Sequence, residues 1–351
     1  MNHLDGVRDR DLYFERGRQP ASTWRNPEEF SVRSVHTTLI GFAAGVALST
    51  TFGVAQAQSV TRELAVTVVD DDGAPVTNLT SADFVVIEDD VEREVVGVRL
   101  DTEPKQIALL VDTSQAARRA MGDLRKGAAA FVDAMHEGNE LSIISFGGTP
   151  RILASPSGDP EQLARGVDRI FSYSSTASYL LDAAVETSKG FVRRGADRPI
   201  IVVLSTLGLD YSNIDDRTAL GRLVDAGVVL HTVVLTRPTA SADIGQTVGV
   251  PGPDAFLDQG GTSPFGLQNV ERDRFLNAGP STTGGRRRDL LLSASTEQAL
   301  LRLAAQIRGQ YLVEYSRPAA LIPPEHIDVN VRLDGLDARG ALVTTGDALN
   351  D

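Results

Sequence analysis

The sequence predicts an α/β fold. It should have a doubly wound, mostly parallel sheet and a small β-sandwich formed by the flanking N- and C-terminal strands. Three observations predict it. Continuous apolar runs, with 107–111 the clearest, have the composition of parallel strands buried on both faces. Those runs alternate with stretches of helical period. On either side of residues 105–309 the pattern changes to period two, as half-buried antiparallel strands require.

Taken in order, residues 1–36 form a polar extension, and residues 1–57 hold six Lys/Arg and six Asp/Glu. Residues 37–57 carry no charge, centre on Leu39 to Leu48 and end in Ala55-Gln56-Ala57, the small-x-small pattern a signal peptidase reads. We expect export with cleavage after Ala57. The alternative is an uncleaved anchor, since about 20 apolar residues can just span a bilayer. A polar run this long before the apolar segment suggests that translation starts nearer Val32.

In the span 58–104, Leu64, Val66 and Val68 alternate with polar residues, and strands are expected at 84–87 and 95–100. The acidic groups Asp70-Asp71-Asp72 and Glu88-Asp89-Asp90 lack the ligand spacing of a calcium-binding EF-hand loop and read as turns on a solvated face. The α/β domain, 105–309, should run strand 107–111, helix 117–136, strand 141–146, edge strand 151–153 and helices 161–171 and 179–193. Strand 200–204, helix 216–226 and strand 228–235 follow. Residues 237–266 are rich in Gly, Pro, Ser and Thr and read as a long loop. A helix at 267–277, an edge strand through Leu292 and a helix at 296–307 close the domain. Strands at 310–315, 327–333 and 338–343 fall within 310–351 and complete the sandwich.

Composition excludes several functions. The chain of 351 residues has no cysteine, so disulfides, thiolate nucleophiles and zinc–thiolate sites are absent. Its five histidines show no paired ligand spacing. A net charge of −13 repels phosphate backbones, which argues against nucleic acid as a partner. No nucleophile elbow, phosphate-binding loop or H-E-x-x-H motif occurs, and the chain reads as a non-enzyme. Arg286-Arg287-Arg288 is a basic spot, read as solvated strand-edge charge.

Ligands of open α/β sheets bind outside the carboxyl ends of the strands. The first such end reads Asp112-Thr113-Ser114-Gln115-Ala116. This resembles the D-x-S-x-S opening of the von Willebrand factor type A domain. The segments Ile144-Ser145-Phe146-Gly147, Leu181-Asp182-Ala183 and Ile201 to Ser205 fall in that family's order. Over roughly residues 62–345 the chain looks like the exported bacterial members, with the preamble Val69 to Gly73 and Asp83-Phe84 to Glu88, and the tail Gln310-Tyr311 and Tyr315-Ser316. The resemblance implies a metal-ion-dependent adhesion site, in which the opening Asp, both Ser hydroxyls, a Thr from a later loop and a second Asp hold Mg²⁺. A partner's acidic side chain then completes the shell.

Here the pattern is damaged. The second Ser position is Ala116, and Thr206 stands where the second Asp is expected. What survives is Asp112, Ser114 and either Thr176 or Ser178, a weak site for Mg²⁺; Asp210 is the only nearby carboxylate that could compensate. Without a metal, Ser114 would serve as an N-cap of the following helix. The resemblance implies an exported protein-binding module at the cell envelope, with membrane attachment only through residues 37–57. The 237–266 loop is expected to cover or replace the lost metal site. The alternative is a structural or assembly component that binds independently of metal.

Overall fold

The computed structural model describes residues 59–172, 176–236, 264–319 and 326–342, together with 321, 322 and 324. Two six-stranded sheets account for all the described strands. The expected signal or anchor segment and most of the 237–266 loop lie outside the described residues. No described helix is long and apolar enough to cross a membrane.

The first sheet contains β4 (Gln106–Val111), β5 (Glu140–Ser145), β6 (Arg151–Ser157), β7 (Pro199–Thr206), β8 (Val229–Leu235) and β9 (Arg287–Leu290), in the order β6-β5-β4-β7-β8-β9. Every pairing is parallel except that of the edge strand β6 with β5. Alternate side chains of β4 enter separate cores. Ile107, Leu109 and Val111 pack on one face with α1 (Met121–Met135), α2 (Pro160–Asp168) and α6 (Thr296–Arg308). Ala108 and Leu110 pack on the other with α3 (Leu180–Arg194), α4 (Asp216–Asp225) and α5 (Pro264–Thr282). A strand buried on both faces needs an apolar residue at every position, which is why these strands read as continuous runs.

Topology then fixes where a ligand can sit. The chain leaves β4 for β5 on one side and later returns to β7 on the other. The crevice at the carboxyl end of β4 is therefore the switch point of the doubly wound sheet. Val111 pairs with Leu204, so the residues that follow, Asp112 and Ser205-Thr206, emerge side by side.

The flanking strands β1 (Ser59–Val69), β2 (Phe84–Glu88), β3 (Val91–Leu100), β10 (Tyr311–Pro318), β11 (Ile327–Val331) and β12 (Asp337–Leu342) form one antiparallel sheet in the order β11-β2-β3-β10-β1-β12. Its end strands β11 and β12 lie against each other, so the sheet curls around a core of Leu64, Val66, Val68, Phe84, Val86, Tyr311, Val313, Tyr315 and Val329. The rings of Phe84 and Tyr311 meet edge to face at 5.3 Å.

Two acidic or basic groups differ from their sequence reading. Glu88 is not solvated. It is fully buried, because the inward positions of β2 are Phe84, Val86 and Glu88. Its carboxylate pairs with Arg93 Nε at 2.7 Å and Arg317 Nε at 2.9 Å, and accepts the Tyr315 hydroxyl at 3.3 Å. Burial, followed by the Glu88 charge, pushes the Tyr315 hydroxyl up to about 12. Only Asp89 and Asp90, both at positive φ, make the expected turn. Arg286, expected as solvated edge charge, bridges the two sheets. Its guanidinium donates to the Asp337 carboxylate, to Asp337 O at 2.8 Å and to Thr67 O at 3.2 Å. Beside it, Arg302 donates to Asp72 O at 2.6 Å and Gln306 to Gly73 O at 2.7 Å.

Candidate functional site

The carboxylate of Asp112 lies at the switch point and is fully buried. One oxygen accepts the Ser114 amide at 2.9 Å. The other accepts both the amide of Thr206, at 3.1 Å, and its hydroxyl, at 2.7 Å. Thr206, in the place of the expected second carboxylate, thus serves as a donor to the first.

Close backbone approach shapes this crevice. Gly147, following β5, lies so close to β4 that a Cβ there would fall 2.1 Å from the Thr113 carbonyl carbon. Its amide donates to Thr113 Oγ1 at 3.1 Å. Gly208 covers Ala116 in the same way, since a Cβ on it would meet the Ala116 methyl at 2.7 Å. The loop after β7 thus passes directly over Ala116.

Of the other predicted ligands, Ser114 and the Thr176 carbonyl stay at the crevice and the Ser178 hydroxyl does not. Ser114 precedes a 3-10 turn, Gln115–Ala120, and not an α-helix; its side chain makes no cap, and its buried Oγ has no hydrogen-bond partner. Thr176 binds the site through its carbonyl, which accepts the Gln115 amide at 3.0 Å. The Ser178 hydroxyl donates to Asp210 at 2.7 Å. Asp210 also accepts the amides of Leu180 and Ser212, each at 2.9 Å. Its carboxylate therefore answers an otherwise orphan donor at the start of α3, a favourable place for negative charge, and does not compensate at Asp112. Asp112, Ser114 and the carbonyl of Thr176 are brought together; the Ser178 side chain is drawn off to Asp210.

One central residue escaped the sequence reading. Arg272, on α5, is among the largest fully buried side chains. Its guanidinium donates to Gly208 O at 2.7 Å, Ser205 Oγ at 2.6 Å and the Thr206 carbonyl, and its terminal nitrogen lies 3.9 Å from Asp112 Oδ2. The signal was a charge at an apolar phase. Arg272, Phe275, Leu276 and Gly279 recur at i, i+3, i+4 and i+7, the helix face toward the core. Three residues before Arg272 on α5, Asn269 accepts the Asp210 amide at 3.4 Å.

These residues do not fit a hydrated divalent ion. Both oxygens of Asp112 already accept protein donors, and a guanidinium sits within about one ion's reach of it. Two unit charges about 4 Å apart repel by about 4 kcal/mol at an effective dielectric near 20, and a divalent ion would feel twice that. Among the described residues, no group of three or more His, Asp or Glu side chains is placed to hold a metal.

A parallel, doubly wound sheet with a buried Asp at its switch point defines an α/β domain that presents ligands at the carboxyl edge of its strands. Residues 107–207 match the family model of the von Willebrand factor type A domain, and the α/β part of this chain carries that domain. No curated protein matches the chain by sequence. Among solved structures, a von Willebrand factor type A protein from Catenulispora acidiphila is similar at 9% identity and TM-score 0.44, over 82% of this chain and 73% of that one. An aerotolerance-related membrane protein from Bacteroides fragilis is similar at 14% identity and TM-score 0.41, over 57% and 98%. The conserved hypothetical protein BatB from Bacteroides thetaiotaomicron is similar at 11% identity and TM-score 0.38, over 58% and 98%.

Proposed function

We propose that this chain is an exported, non-enzymatic protein-interaction module that presents the carboxyl edge of its parallel sheet to a protein partner at the cell envelope. Von Willebrand factor type A domains commonly mediate protein–protein interaction. One observation on this chain supports the same use. Phe171, Leu207, Leu209, Leu291 and Leu292 are large apolar side chains left exposed, and all sit at this edge. Leu207 and Leu209 follow β7, and Leu291 and Leu292 follow β9, which is parallel to β8. Phe171 adjoins Ser172, whose hydroxyl donates to Ser114 O at 2.9 Å. Exposed apolar side chains around a polar floor are the kind of surface a partner would cover.

The segment 237–263 joins the carboxyl end of β8 to the start of α5, and we include it in the recognition surface. The alternative role, as an assembly component pairing through the flanking strands, is less favoured, because β11 and β12 lie against each other.

The test is capture of envelope proteins by the full chain, with Leu207→Asp/Leu209→Asp and a 239–263 deletion alongside. Loss of a specific partner in either folded variant supports the reading; unchanged capture by both sinks it. N-terminal sequencing of the secreted or periplasmic protein tests export, with Gln58 expected as the first residue.

A further inference from the structure

We propose that Arg272 is the resident cation of this site, standing permanently where the domain family places a divalent ion. Three observations carry it. The Arg272 guanidinium is buried at the switch point with its terminal nitrogen 3.9 Å from Asp112 Oδ2, the one carboxylate of the site. It ties down the loop that in the family pattern supplies the second carboxylate, through Ser205 Oγ, the Thr206 carbonyl and Gly208 O. Ser114 Oγ, expected as a ligand hydroxyl, is buried with no hydrogen-bond partner among the described residues. That is the state of a ligand left behind after its ion has been replaced by a cation that does not reach it.

Charge logic makes the exchange self-consistent. A buried carboxylate needs a compensating cation. The substitutions at Ala116 and Thr206 remove an oxygen ligand and a negative charge, leaving too little to hold a divalent ion. One guanidinium, which carries its charge permanently and spreads its donors in a fixed fork, balances what remains. Two loop carbonyls and the Ser205 hydroxyl take up the terminal nitrogens of Arg272, while its Nε, like Ser114 Oγ, is buried without a hydrogen-bond partner among the described residues.

The consequence is regulatory. A metal-bearing site can be emptied by chelation and can bridge to a partner's carboxylate. A site whose cation is covalently part of α5 can do neither. Recognition at this edge is then constitutive and indifferent to divalent ions. Asp112 and Arg272 act together as a fixed pin between β4, the loop after β7 and α5.

Two measurements on the full chain test this, and neither uses a partner, so they stand apart from the interaction reading. The first is calorimetric titration of Mg²⁺ and Mn²⁺ into the parent and Asp112→Asn. No saturable uptake by the parent at millimolar metal is expected; stoichiometric uptake that Asp112→Asn abolishes overturns the proposal. The second is a denaturant-unfolding cycle of Asp112→Asn, Arg272→Met and the double variant. The double variant should be about tenfold more stable in its unfolding constant than additivity predicts, and additive effects would overturn the proposal. Should Arg272→Met fail to fold, Arg272→Lys is measured outside the cycle. With the cation retained it should be nearer the parent in stability than Arg272→Ala, and equal loss in the two would count against a charge role.

Discussion

Glu88 and Asp112 are both fully buried carboxylates, one in each sheeted part of the fold, and they are held in opposite ways. Glu88, in the curled antiparallel sheet, is met directly by two arginine nitrogens at 2.7 and 2.9 Å and by a tyrosine hydroxyl. Asp112, at the end of a parallel strand, is held by two backbone amides and one threonine hydroxyl, with its arginine 3.9 Å away. Side chains grip the first; backbone and topology position the second. The difference follows from where each lies. Glu88, although last in β2, is paired with Ile327 on one side and Val91 on the other, so the antiparallel ladder occupies the backbone there and side chains do the holding. Where parallel strands end, successive amides come free and aim at whatever sits in the crevice. Glu88 is a structural lock, and Asp112 is the floor of the switch-point crevice.

The largest effect expected from that contrast is at Glu88. Glu88→Gln keeps the shape but leaves Arg93 and Arg317 without their anion. Breaking a buried pair from one side costs about 3–5 kcal/mol. Urea unfolding should show that loss, and a change below about 1 kcal/mol would erase the distinction between the two carboxylates.

A third buried titratable group, His231, extends the comparison to one with no counter-charge. Its Nδ1 accepts the Arg286 amide at 3.1 Å. Burial first, and then the Arg286 charge, lowers its pKa to about 3. The folded protein thus refuses a proton that the unfolded chain takes up near pH 6.5. No stability is lost above that pH. Below it, stability falls at up to about 1.4 kcal/mol per pH unit until pH 3. Between pH 7.5 and 4.5, His231→Gln should lose about 2–3 kcal/mol less than the parent. Parallel stability–pH curves for the two would refute the assignment.

Gly147 probes the close approach that lets backbone do the holding at Asp112. Gly147→Ala forces a methyl into the Thr113–Ser114 peptide. Overpacking against backbone that cannot yield should cost about 2 kcal/mol. Hydrogen exchange at the Ser114 and Thr206 amides should accelerate with it. Unchanged protection at both would mean that the crevice is more pliable than its geometry implies.

Much of this was legible in the sequence, for reasons that also mark its limits. Strands buried on both faces announce themselves as apolar runs, so β4, β5, β7 and β8 were readable along with the position of Asp112. The helix read at 216–226 runs Asp216–Asp225, and the structure adds its cap, Asp215, which accepts the Thr218 amide at 2.9 Å. What escaped needed partners distant in sequence. Glu88 read as a turn because its alternation with Phe84 and Val86 only acquires meaning once Arg317 arrives on β10. Arg272 lay at an apolar phase of a helix, yet nothing local shows that α5 reaches back to the end of β4. Ser178 and Thr176 were both within reach by counting, and only the fold shows the Ser178 hydroxyl turned to Asp210.

The smallest predicted effect is the most telling about the site. Ser114 Oγ is buried without a partner, and an unsatisfied buried hydroxyl is a liability that its removal relieves. Ser114→Ala should leave stability unchanged or raise it by up to about 1 kcal/mol, measured by urea unfolding with and without millimolar Mg²⁺. In a working metal site the same substitution would destabilise, and only when the ion is present, because it deletes a ligand from the folded state alone. A Mg²⁺-dependent loss would therefore restore Ser114 as a ligand and the Asp112 crevice as the metal site that the sequence resemblance implies. A Mg²⁺-independent gain would leave the hydroxyl as a remnant beside a carboxylate whose cation is already built into the chain.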